Sequence, residues 1–281
     1  MEERGSLRYS IWDPTGNITA LVESAVAVGE QPAAAAALME RHPTVEQVGF
    51  VRFPDVADRN GVQAELRMAG GEFCGNASMS AAALCLLRQG VPGGTESAPE
   101  LVRIRVSGVE EPVTVRLRRE GVSSFSARVH MPPPRAIAER TLSFESVSGP
   151  LPLVSQEGIS HLLIEPDSAF APLLLDRPAA ERAVRAWCAE LGAEGLGLMF
   201  LNEEEGAWTL TPLVYVPGSG TVFWENSCAS GSAAVGMALA ARGGKPVQLE
   251  LREPGGWLQV ESAPYGGATW LGGRTRRTAR F

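Results

Sequence analysis

The chain has 281 residues, 44% hydrophobic and 20% charged, with a formal net charge of −7. That composition suits a globular protein with a sizeable core, in one large domain or two of roughly 140 residues. The negative balance, with no compensating basic run, argues against nucleic acid or an anionic membrane surface as partner. No stretch approaches the roughly 18 consecutive apolar residues of a membrane span. The opening MEERGSLRYS is acidic and polar where a secretory leader needs a basic start and an apolar core, so a cytoplasmic address is expected.

In chain order, PTGNITALV (14–22) predicts a turn running into a strand, QPAAAAALMERH (31–42) a helix, and VGFVRF (48–53) an apolar strand. GGEFCGNASMSAAALCLL (70–87) then sets a glycine-rich turn and Cys74 before an alanine-rich helix. That helix stops at Arg88, Gly90 and Pro92, the order helix C-termini prefer, and the alternating LVRIRVS from Leu101 follows as a strand. VHMPPPRAIAER, with prolines at 132–134, reads as a connection between domains.

Beyond it the order recurs. EGISHLLIE (157–165) sets Gly158 opposite Gly16, RPAAERAVRAWCAELG (177–192) is a helix, and LGLMFL (196–201) is a strand. ENSCASGSAAVGMALAARGGKP holds Cys228 and a second alanine-rich helix, and VQLELRE from Val247 is a strand. NEEEG (202–206) reads as a solvated hairpin turn and RTRRTAR (274–280) as an exposed basic end. Counted from the two cysteines, Ser78 and Ser232 fall at +4, Arg88 and Arg242 at +14, Gly90 and Gly244 at +16, Pro92 and Pro246 at +18. The expected fold is therefore α/β (α+β): two similar, pseudo-symmetric domains, each a mostly antiparallel sheet or barrel wrapped round a central alanine-rich helix. Residues 1–130 carry Cys74 and residues 131–265 carry Cys228; the segment from about 266 to 281 is free to return to the first domain.

The repeat gives the thiols a physical context. Each cysteine falls at a helix N-cap, where backbone N–H groups lack partners and the macrodipole presents partial positive charge. That position is expected to lower a thiol's pKa, and the same N–H groups can bind a carboxylate. If the two domains face each other, two thiols flank one bound anion. Such a pair suits inversion of a carbon next to a carboxylate, one thiolate removing the proton and the opposite thiol returning one. Cys85 lies 11 residues beyond Cys74, about 16 Å along the same helix, and with Cys188 reads as inert packing. The four cysteines and three histidines (His42, His130, His161) form no metal-ligand spacing, and no dinucleotide fingerprint or P-loop is present, so no metal and no cofactor are expected. His161 in ISHLLIE reads as a core histidine, and Glu72 and Glu225 as loop acids that are either solvated or turned to a substrate ammonium.

FCGNA (73–77) and SCASGSA (227–233), with TGN (15–17), resemble the paired motifs of the diaminopimelate epimerase-like family of cofactor-independent amino-acid racemases and epimerases. Three departures bear on substrate. No Glu-Arg pair precedes the second cysteine, and the family's Gly-Asn-Pro-His is Gly158-Ile159-Ser160-His161, with its later asparagine falling near Gly197. EQVGF (46–50), GGEFCGNAS and the lost Glu-Arg pair are most similar to the histidine racemases of opine-type metallophore biosynthesis. The resemblance implies Cys74 and Cys228 as the acid–base pair, substrate contacts from Asn17, Glu46, Gly75, Asn76, Ala229 and Ser230, and a small amino-acid substrate, with Glu46 a reader of its imidazole. It leaves a homodimer open. A diaminopimelate epimerase or a racemase of another amino acid, a thiol redox protein, and a non-catalytic amino-acid binder are the alternative readings.

Overall fold

Two helices carry almost no side chain larger than leucine and almost none exposed to water, and the sheets are built around them. The computed structural model describes residues 7–54, 61–90, 98–205, 207–218 and 220–281. Pro92 of the first helix stop lies outside the described residues. The chain divides into two compact units, residues 1–130 with 272–281, and residues 131–271.

The first unit runs β1 (Tyr9–Pro14), β2 (Thr19–Val22), α1 (Gln31–Arg41), β3 (Gln47–Arg52), β4 (Val62–Met68), α2 (Gly75–Gln89), β5 (Glu100–Val106), β6 (Val113–Arg119) and β7 (Ser124–Met131). It ends with β16 (Thr269–Arg280), which enters this unit at Gly272. These eight strands pair in sequence order, β7 with β16 and β16 back onto β1, so among the described residues the barrel closes on itself. Two pairs are parallel, β2 with β3 and β4 with β5, and each is bridged by a helix, α1 and α2. The remaining described pairs are antiparallel.

Helix α2 is buried from Gly75 through Leu86 and packs against β1 to β6. A helix with no polar face can only be a core element. Alanines 81 to 83, all fully buried, keep it thin enough for strands to surround it. Helix α1 covers the outside of the barrel, placing Ala35 and Leu38 on Tyr9, Ile11, Val22, Val48 and Phe50.

The reading of RTRRTAR as an exposed basic end is corrected by β16. The segment is a barrel strand paired with β1, Asp13 opposite Arg276 and Ser10 opposite Arg280. Its inward phase holds Thr275, fully buried, whose hydroxyl shares a 2.8 Å hydrogen bond with Ser80 of α2. Strand alternation sends Arg274, Arg276 and Arg280 outward, where Arg276 meets Asp13 at 3.7 Å, and leaves Arg277 half-buried on the inward phase.

The second unit runs β8 (Ala136–Phe144), β9 (Val147–Ser155), β10 (Ser160–Ile164), α3 (Arg177–Leu191), β11 (Leu196–Glu204), β12 (Ala207–Val216), β13 (Thr221–Trp224), α4 (Ala229–Gly243), β14 (Val247–Glu253) and β15 (Gly256–Ser262). Its strands follow the order β15-β14-β12-β11-β10-β9-β8, with β13 beside β12. Among the described residues no pairing joins β8 back to β15, so this path stays open where the first unit closes. Helix α4 is buried along most of its length and packs on β14 and β15. On the buried face of α3, Trp187 is fully buried, edge-on to Phe170 and Phe144, and its indole N–H donates to the Ser143 carbonyl at 2.9 Å. The NEEEG hairpin is tighter than its composition suggests: pairing continues from Asn202 opposite Thr209 to Glu204 opposite Ala207. Gly206 lies outside the described residues.

Close wrapping of α2 makes its alanines intolerant of size. Ala82→Leu adds three carbons where no space exists and should destabilise the protein by about 1–3 kcal/mol. Ala36→Leu, on the exposed face of α1, should stay within about 0.5 kcal/mol of the parent. Urea midpoints of the two variants measure the contrast.

Candidate active site

Both alanine-rich helices start at a cysteine with extended backbone, Cys74 at φ −135° and ψ 112°, Cys228 at φ −122° and ψ 96°. An N-cap residue normally offers an oxygen to the free N–H groups of the first turn. Here sulfur stands in that place, and the Cys74 thiol accepts from the Ala77 N–H at 3.4 Å. Both cysteines are buried, at 7% and 5% exposure. Gly75 and Asn76 form the first turn of α2 and Ala229 and Ser230 that of α4; Ser230 is the one of the four that is partly exposed.

In the first unit, the parallel pairing of β2 and β3 sets Thr19 opposite Gln47 and so brings together two predicted site residues 29 positions apart. Asn17 is buried, and its amide Nδ2 donates to Glu46 Oε2 at 2.9 Å. The Glu46 N–H in turn donates to the Ile18 carbonyl at 2.8 Å. The other amide atom, Asn17 Oδ1, is buried with no hydrogen-bond partner. Glu72 is an exposed loop residue, its carbonyl held by the Ser107 hydroxyl at 2.8 Å.

The second unit surrounds its cysteine with acids. The half-buried Glu225 accepts a hydrogen bond from the Cys228 thiol. Below, the buried Glu253 carboxylate takes the Cys228 N–H on Oε2 at 2.6 Å and the Ser232 hydroxyl on Oε1. The Cys228 sulfur lies 3.7 Å from Ser230 Oγ, which lies 3.2 Å from His161 Nε2. Gly231 is needed at this point. A Cβ there would overlap the Met199 sulfur and stand 3.1 Å from Cys228 Sγ.

Burial pushes the Cys228 thiol well above the ordinary thiol range, and the charges of Glu225 and Glu253 push it further. The expectation of a thiol acidified by its helix start is corrected here. The Gly231 N–H pulls in the expected direction but loses. A helix terminus supplies about 0.3–1 kcal/mol, up to about 2 when partly buried. Full burial moves a group by up to about 3–5 pKa units at about 1.4 kcal/mol each. Burial likewise raises Cys85, to about 11, and Cys188, matching their reading as inert packing.

His161 is a core histidine with one side satisfied. It is fully buried, and burial alone lowers it to about 3, so its ring is neutral. Its Nδ1 has no partner. Gly197 lies opposite it across β10 and β11, and a Cβ at Gly197 would stand 2.7 Å from the His161 ring. The glycine found where the resemblance expects an asparagine therefore makes room for this imidazole.

Glu253 joins the site from outside the cysteine motifs, yet the sequence carries a signal for it. Along VQLELRE the inward phase is Val247, Leu249, Leu251 and then Glu253, a carboxylate on the core face. The matching strand of the first unit, β5, ends its inward phase on buried Val106.

Strands wrapped round a helix that starts at a buried cysteine place the chain among racemase and isomerase folds. The protein is similar to a "Predicted Epimerase" from Pseudomonas aeruginosa, with TM-score 0.68, 20% identity and 98% of each chain covered. It is also similar to a hydroxyproline epimerase from Agrobacterium vitis, with TM-score 0.65 and 15% identity over 100% of this chain and 93% of that one. In sequence it is 29% identical over 254 residues to a histidine racemase of Fusobacterium nucleatum subsp. nucleatum, covering 88% of this chain and 86% of the relative. Residues 6–269 match the family described as "Histidine racemase CntK N-terminal domain". The chain belongs to this family of amino-acid racemases. The likeness drawn from the cysteine motifs thus narrows to the histidine racemases, and at the level of fold runs to a hydroxyproline epimerase rather than to diaminopimelate epimerase. Among the described residues no helix is long and apolar enough to cross a membrane, and no cluster of three metal-ligating side chains occurs.

A neutral His161 has a measurable consequence. Its folded-state pKa lies below its unfolded value, so its stabilising effect is complete above the unfolded pKa of about 6.5 and is lost as pH falls toward 3. Between pH 7 and 5 the parent should lose about 2 kcal/mol more unfolding free energy than His161→Gln, measured by urea titration at each pH.

Proposed function

We propose that the protein is a cofactor-independent histidine racemase that inverts the α-carbon with two thiols, Cys74 and Cys228. The observation that carries this reading is the pair of buried cysteine N-caps on two buried alanine-rich helices, in a chain of the histidine racemase family. One thiolate takes the α-proton and leaves the electron pair on carbon. The other cysteine, as thiol, delivers its proton to the opposite face and becomes the thiolate. The two cysteines exchange roles with each turnover, and the reverse enantiomer meets the complementary pair.

The carbanion needs its charge spread onto the substrate carboxylate. N–H groups of the first helical turns, from Gly75, Asn76, Ala229 and Ser230, are fixed before substrate arrives and supply that stabilisation without reorganising. Burial makes each of these hydrogen bonds stronger than it would be in water. A thiol of high proton affinity is a strong base once ionised, which suits an α-proton of very low acidity. That basicity is the functional counterpart of the upward shift at Cys228.

Histidine as substrate is supported by the named relative and by the Asn17–Glu46 pair. Glu46, oriented by the Asn17 amide, offers a carboxylate oxygen to an imidazole N–H. The resemblance further implies that D-histidine leaves for an opine-type metallophore. The correspondence of the two units as copies of one ancestor belongs to the same proposal: each places a cysteine-capped helix between a parallel strand pair, β4 and β5 in one, β12 and β14 in the other.

Chiral chromatography of L-histidine incubated with purified protein tests the reading. The parent should generate D-histidine until the enantiomers are equal. Cys74→Ser and Cys228→Ser should each lower the rate at least about a thousandfold, since a serine hydroxyl is far too weakly acidic to supply the base. Full turnover in either variant contradicts the two-thiol assignment, and absence of D-histidine from the parent contradicts the substrate.

A further inference from the structure

The strand that follows each cysteine helix ends on a buried inward side chain, and in the second unit that side chain is a carboxyl group. Strands β5 and β14 each have seven residues and each end on a buried inward side chain, Val106 in one and Glu253 in the other. Glu253 is 3% exposed and spends both carboxylate oxygens on the start of α4, one on the Cys228 N–H and one on the Ser232 hydroxyl. Satisfying an N-cap N–H requires only a neutral oxygen, which a glutamine or serine provides. Placing an ionisable group there, where burial penalises its charge, is costly unless the charge has a use.

We propose that Glu253 is a positioning residue of the Cys228 half of the site, which holds the first turn of α4 in place and shares a single negative charge with the Cys228 thiol. The proposal rests on the two-thiol reading above and deepens it. The groups facing the sulfur are Glu225 from the loop before α4, Glu253 from the end of β14 and, through Ser230, the neutral His161 of β10. None of these named groups is cationic, and a Glu253 carboxylate opposes a Cys228 thiolate. Burial raises Glu253 to about 8, and the hydrogen bonds from Ser232 and the Cys228 N–H moderate that rise. Below that pH Glu253 keeps its proton and Cys228 is free to ionise beside a neutral neighbour. Above it Glu253 ionises and opposes the thiolate. The pair titrates as a unit, with apparent pKa values that belong to both groups.

Alkylation by iodoacetamide, followed at the Cys228 peptide by mass spectrometry from pH 6 to 10, tests this without requiring turnover. The parent rate should climb tenfold per pH unit up to about pH 8 and then flatten as Glu253 ionises. Glu253→Gln keeps an acceptor for the Cys228 N–H but carries no charge. It should match the parent below pH 8 and climb without a break above it, exceeding the parent on the order of tenfold at pH 9.5 after allowance for the lower nucleophilicity of a more acidic thiol. Ser232→Ala removes a hydrogen bond that favours the carboxylate, so it should move the parent's break to higher pH. A parent profile with no break, or a Glu253→Gln profile that overlays the parent throughout, overturns the proposal. The break in the parent decides the matter even if Glu253→Gln does not fold. Loss of racemisation with the break intact would instead count against the two-thiol reading alone.

Discussion

A helix that begins inside a protein presents backbone N–H groups that water cannot reach, and every other feature of these two sites follows from how those groups are occupied. Their partial positive charge attracts an anion, and their geometry admits only small groups nearby. Here the cap is a thiol, the next residues are glycine, alanine, serine or asparagine, and the helix behind them is alanine-rich so that strands can enclose it. A larger side chain at α2 would open the barrel and let water to the thiol; a charged one would compete for the N–H groups. The composition of the helices and the chemistry of their first turns are one constraint seen at two scales.

The two halves meet that constraint differently. The first closes eight strands around α2, with β16 as the last stave, and builds a polar pair, Asn17 and Glu46, on the parallel strands β2 and β3. The second keeps an open strand path and concentrates acids at α4, with Glu225 on the sulfur and Glu253 under the main chain. A racemase must treat both enantiomers, yet its two bases need not be equivalent, because the overall equilibrium is fixed by the substrate and not by the enzyme. Unequal surroundings then shift which chemical step limits each direction without changing where the reaction ends.

Local features were legible in the residues. A cysteine before a run of small helix formers, followed by Arg and Gly at fixed offsets, locates α2 and α4 to within a residue or two. Asn17 and Glu46 could be named separately, but their hydrogen bond depends on a parallel strand pairing that no short-range pattern encodes. RTRRTAR hides its strand because arginines at the outward positions, and Arg277 at an inward one, mask the alternation that would reveal Thr275. The protonation of Cys228 departs from the local expectation for a related reason. The helix terminus is a local fact, whereas burial and the approach of Glu253, 25 residues away in sequence, are tertiary ones, and the tertiary terms are larger.

The proposed inversion requires two separate bases acting on one carbon, and the origin of the proton in the product reports on that directly. L-Histidine racemised in D2O should yield D-histidine carrying deuterium at the α-carbon from the first turnovers, while unreacted L-histidine keeps its protium, as read by mass spectrometry of the separated enantiomers. Early D-histidine that retains the substrate's own α-proton would show a single base serving both faces and would contradict the account.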